Sequence, residues 1–167
     1  MPTHYPTPPR LLVIGVGNAD RGDDAVGLIV AQRLKEKAQS AGNEISYEPI
    51  TILEQSGQDL ALIESWKEAE TVIVIDAIHS GAKPGTLQRF DAQAQPIPAK
   101  FFHHSTHTFS VVDAIELARV LDLLPPRLII YGIEGKTFKP GAGLSWEVEK
   151  AIPEVVEQVL RELYINR

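Results

Sequence analysis

The chain of 167 residues contains no cysteine. Disulfides, iron–sulfur ligation, thiolate zinc sites and a cysteine nucleophile are therefore excluded. The absence fits a protein of the cytoplasm, which is the expected location. Any metal site has to be built from His, Asp, Glu or backbone oxygen. No apolar run approaches the ~20 residues that cross a bilayer, so no membrane insertion is expected. Residues 1–10, MPTHYPTPPR, lack the cationic start and apolar centre of a secretory signal. With Pro2, Pro6, Pro8 and Pro9 they read as a flexible N-terminal tail. There is no basic excess either: the net charge is −6, and nucleic acid is not an expected partner.

What the chain does have is an apolar content of 44% and a charged content of 23%, ordinary for a soluble globular protein. Residues 11–167 suffice for one domain with a substantial core. Leu11 to Ile14 reads as a strand, followed by Gly15, Gly17, Asn18 and the acids Asp23 and Asp24. Val26, Ile29, Val30 and Leu34 then recur at helical spacing, which predicts a helix over 24–38. A strand is expected over 45–53, with Pro49 placing it at an edge or bend. A second helix is expected over 57–67. The β-branched run Thr71 to Ile75 predicts a strand covered on both faces and ending at Asp76. A short added strand is expected over 86–90, a third helix over 106–121 and a buried strand over 127–133. Ser145 is a good cap for a final helix, which Pro153 should kink or split. Strands alternating with helices predict an α/β fold: one three-layer domain with a mostly parallel twisted sheet between helices.

In such sheets sites gather beyond the carboxyl ends of the strands. Gly15 to Asn18, Asp76 and the loop carrying His103, His104 and His107 are all expected there, as are Glu134 and Gly135. Two carboxylates and an imidazole at a strand edge would make an open metal site, suited to nickel, zinc, iron or manganese. Sharper motifs fail. GVGNAD carries Asp20 at the third glycine position of a dinucleotide fingerprint, and GIEGKT lacks the first glycine of a phosphate loop. No HExxH occurs, and no serine sits in a G-x-S-x-G elbow. Taken singly, Asp23 or Asp24 serves equally well as an acid at a helix start, Asp76 as a cap and His107 as a core histidine.

The blocks GVGNADRGDDAVG, VIVIDAIHSG, STHTFSVVDAIELARVL, YGIEG and GLSWEVEKAIPEVVEQVL, in this order, resemble the hydrogenase maturation endopeptidases. The resemblance runs from Leu11 to about Leu163 and is most specific in the first block. It implies an endopeptidase that removes the C-terminal extension of the large-subunit precursor of [NiFe] hydrogenase after nickel insertion. It also implies three metal-binding positions. These are the acid six residues after Asn18, here Asp24; the Asp of the apolar strand, Asp76; and a His opening the helix after the central loop, His107. Asp24 and Asp76 are the implied catalytic acids. Many relatives have Glu where this chain has Asp24. The neighbouring Asp23 leaves open which acid points inward, and His103 and His104 compete with His107. The nickel would belong to the precursor, with no tightly held metal of the protease's own. A non-catalytic nickel-binding maturation factor and a zinc-dependent small-molecule hydrolase are the alternatives that the same scaffold admits.

Overall fold

A computed structural model describes residues 10–40, 49–57, 60–102 and 109–164. Five strands form one sheet: β1 (Leu11–Val16), β2 (Ile50–Gln55), β3 (Thr71–Ile78), β4 (Leu87–Asp91) and β5 (Arg127–Glu134). Their order is β2-β1-β3-β5-β4. The first four in that order are parallel, and β4 closes the edge antiparallel to β5. Among the described residues four helices cover it: α1 (Val26–Ser40), α2 (Ala61–Trp66), α3 (Val111–Val120) and α4 (Trp146–Tyr164).

Strand alternation sorts the core into two layers. Leu12, Ile14, Val72, Val74, Leu128 and Ile130 pack with α2 and α3. Leu11, Val13, Ile73, Ile75, Ile129 and Ile133 pack with α1 and α4. Every residue of β3 is buried, as expected of a parallel strand covered on both faces. The three-layer α/β expectation therefore holds.

Several boundaries differ from the sequence expectation. The chain does not enter a helix at Asp24. Gly22–Ala25 forms a 3-10 turn, and α1 starts at Val26. Strand β3 does not end at Asp76 but runs on to Ile78, because β5 keeps pairing with it as far as Ile78↔Glu134. Helix α3 starts at Val111; residues 106–108 of the expected span lie outside the described residues. Ser110 is its extended N-cap, with φ −122° and ψ 174°, and a reciprocal capping box with Asp113 fixes that start. Ser145 stands immediately before α4, its carbonyl accepting from the Glu149 N–H at 3.0 Å, and its hydroxyl donates to Asp23, 2.9 Å away. Helix α4 continues through Pro153 as one helix. The carbonyl deprived of the proline N–H is that of Glu149, an exposed residue that water can serve. The expected tail at 1–10 and the stretch 45–48 lie, apart from Arg10, outside the described residues.

Candidate active site

Leaving β1, the chain goes to β2 on one side of it, then crosses to β3 on the other. The crevice beyond the carboxyl ends of β1 and β3 is thus the switch point of the sheet. Three glycines shape it. A Cβ on Gly17 would fall 1.9 Å from the Asp24 carbonyl oxygen. A Cβ on Gly27 would fall 2.3 Å from the carbonyl oxygens of both Val16 and Ile75. The start of α1 therefore lies directly on the ends of the two strands. Gly22 has φ +59°, in the left-handed region that glycine adopts without strain. These glycines admit the protein's own backbone and bring Asp24 over the sheet edge.

Asp76 comes from below. Its row on β3 reads Val72, Val74, Asp76, Ile78, so an acid occupies a core position. The last rung joining β1 to β3 is Gly15↔Ile75, and Asp76 follows it immediately. Asp76 is 5% exposed and Asp24 6%. Burial holds the Asp76 carboxyl well above its usual range, and the neighbouring Asp24 charge raises it further. The one opposing influence is the Ala77 N–H, which donates at 2.9 Å. Among the described residues no other hydrogen bond reaches the Asp76 carboxylate.

Asp23 points elsewhere. Its Oδ2 accepts from the Lys136 N–H at 2.7 Å, the Thr137 N–H at 3.1 Å and the Ser145 hydroxyl at 2.9 Å. Its Oδ1 accepts from the Ser145 N–H at 2.7 Å. Asp23 thus grips the glycine-rich loop before α4, while Asp24 is the acid whose charge acts on Asp76. Glu134 has a comparable task. Its carboxylate accepts from the Ser80 N–H at 3.0 Å, the Ser80 hydroxyl at 2.8 Å and the Gly81 N–H at 3.0 Å, holding the loop after β3. Two buried clamps thus flank the acid pair. Sequence reading missed both roles, although the signal for one was the doubling of the acid at 23–24.

His103, His104 and His107 lie outside the described residues. Among the described residues no three His, Asp or Glu side chains form a group able to hold a metal ion. His79, on the same sheet edge, stands exposed with its ring edge-on to Phe138 at 6.0 Å between centroids. It does not complete such a group. Chemically, the crevice offers two neighbouring carboxylates, both poorly solvated. Neighbouring buried carboxylates are chemically able to attract a cation or to exchange a proton.

A family model described as hydrogenase maturation protease matches residues 29–162. The hydrogenase 2 maturation protease of Escherichia coli is 28% identical over 156 residues, covering 92% of this chain and 90% of that protein. The hydrogenase expression/formation protein HupD of Rhizobium leguminosarum is 27% identical over 163 residues, covering 97% and 78%. Among solved structures, the hydrogenase-maturating endopeptidase HybD from E. coli superposes with a TM-score of 0.74 at 25% identity. It covers 92% of this chain and 91% of that one. No described helix is long and apolar enough to cross a membrane.

Proposed function

The chain belongs to the hydrogenase maturation protease family, and from that premise we propose that it cleaves the C-terminal extension from a [NiFe]-hydrogenase large-subunit precursor once nickel is in place. Asp24, Asp76 and His107 are the residues that reach for the precursor's nickel, in the cytoplasm. The observation that carries this reading is the acid pair at the switch point, where Asp76 has lost water and gained a like-charged neighbour. A cation supplied by the substrate relieves both penalties at once. His107 enters through the sequence resemblance, as the third partner of an incomplete shell that the precursor completes.

Engaging the nickel holds the tail against the acids, which makes cleavage effectively intramolecular. Hydrolysis then joins a water oxygen to the scissile carbonyl carbon, breaks the C–N bond and delivers a proton to the departing amine. Asp24 and Asp76 are the groups available to move those protons. The nickel can polarise the carbonyl or the water.

The test is mass spectrometry of nickel-loaded precursor incubated with the wild type and with Asp24→Ala, Asp76→Ala and His107→Ala. The wild type should release the tail and each variant should not. Tail removal unchanged in all three would reject the assigned site. Equal cleavage of nickel-free precursor would reject nickel recognition.

A further inference from the structure

We propose that Asp23 is a positioning residue for this reaction: by locking the Gly22–Ala25 turn to the loop before α4, it aims the neighbouring Asp24 at Asp76. The inference rests on the function proposed above and assigns a task to an acid whose two carboxylate oxygens are taken up by the protein's own donors.

The lock is extensive. Besides the four hydrogen bonds that its carboxylate accepts, the Asp23 N–H donates to the Thr137 carbonyl at 2.8 Å. The Gly22 N–H donates to the Ala142 carbonyl at 3.1 Å, and the Gly141 N–H to the Asp20 carbonyl at 2.7 Å. Asp23 is completely buried, which strengthens the hydrogen bonds to its carboxylate. From the other side, Gly17 seats the Asp24 carbonyl against β1. In a 3-10 turn successive side chains diverge by about a third of a revolution. Fixing the Asp23 side chain toward residues 136–145 therefore fixes the direction left to Asp24. A carboxylate is needed for the task. Both oxygens face N–H or O–H donors, and an amide would turn one NH2 group against them.

Misplacing a reacting group by about an ångström costs on the order of 10²-fold in rate. Asp23→Asn should lower kcat by about 10–100-fold per folded molecule, folded fraction being read by circular dichroism, with KM within about twofold. Ser145→Ala removes one of the four donors and little volume, so it should lower kcat by about 2–5-fold. It also keeps the test decisive if Asp23→Asn does not fold. Wild-type protein is run beside them on the same nickel-loaded precursor. Wild-type kcat per folded molecule in the variants would overturn the inference alone. A raised KM with kcat kept would overturn it too, since Asp23 would then be shaping a binding wall. No cleavage by the wild type would overturn the proposed function, and this inference with it.

Discussion

Two buried acids at opposite ends of the sheet are treated in opposite ways. Glu162 on α4 is 1% exposed, like Asp76 a carboxylate removed from water. Around it stand Arg89, Arg127 and the Tyr131 hydroxyl, the last donating at 2.9 Å. Arg127 also donates to the Glu162 carbonyl at 3.0 Å. Burial raises the Glu162 pKa, but the bonds from Arg89 and Tyr131 and the two guanidinium charges outweigh it, and the net shift is downward. The Tyr131 hydroxyl is pushed up to about 12, by burial first and then by its bond to Glu162. At Asp76 the signs reverse, since burial and the Asp24 charge act together against one N–H donor. Glu162 is satisfied from within, whereas the charge of Asp24 adds to the burial that already disfavours an ionised Asp76. The first holds β4, β5 and α4 together; the second places a strained acid at the switch point of the sheet, at a cost in stability.

Asp76→Asn should separate the two costs most sharply. It should lower tail cleavage by ~10²–10⁴-fold, the range for a lost acid–base group, yet raise the Tm. Below the ordinary value of 3.8 both folded and unfolded forms of Asp76 are protonated, and the amide gains nothing. As pH rises past that value the unfolded chain releases its proton and the folded chain retains it. Wild-type stability therefore falls with pH relative to the variant. Melting curves at pH 3.5 and pH 7.5 should show the gap opening at the higher pH, with roughly 2–4 °C for each ~1 kcal/mol recovered. A variant less stable than wild type at pH 7.5 would mean that Asp76 is structurally satisfied after all.

Glu162→Gln should do the converse. Removing the charge leaves two arginines facing an amide, one of them half in water, and about 2–4 kcal/mol is the expected loss. The Tm should fall by roughly 10 °C, with cleavage per folded molecule intact. Because the folded pKa lies below the ordinary value of 4.5, the stabilisation is fully present above pH 4.5. It is lost as pH falls through the folded value. The variant should lack that acid limb. Cleavage that fell with stability intact would place Glu162 in the reaction rather than in the frame.

The layers of the fold were legible because apolar runs and helical periodicity survive in the sequence. Thr71 to Ile75 and Arg127 to Ile133 are buried strands as read. Asp24 and Asp76 stand out in the sequence as acids that interrupt or follow such runs, and the fold brings the charge of the one to bear on the other. The end of β3 was not legible, since pairing with β5 rather than composition carries the strand past Asp76. The division of labour between Asp23 and Asp24 was hidden too. It depends on donors at Lys136, Thr137 and Ser145, more than a hundred residues away along the chain. Glu162 left a faint trace, an acid three residues past Val159 on the apolar face of α4. Its arginines, on strands β4 and β5, could not be assigned to it without the fold.

Glu134 is the intermediate case and sets the finest test of the comparison. It is 1% exposed, as deeply buried as Glu162, but its donors are the Ser80 and Gly81 N–H groups and the Ser80 hydroxyl, with no arginine. Glu134→Gln keeps the volume and one acceptor oxygen while turning an NH2 group toward those donors. If uncharged donors suffice to satisfy a buried acid, their loss should cost about 1–2 kcal/mol. That is less than at Glu162 and of opposite sign to Asp76→Asn. Urea unfolding curves with unchanged slope would read that difference directly. A midpoint at or above wild type would place Glu134 with Asp76, as a buried acid that its hydrogen-bond donors do not satisfy.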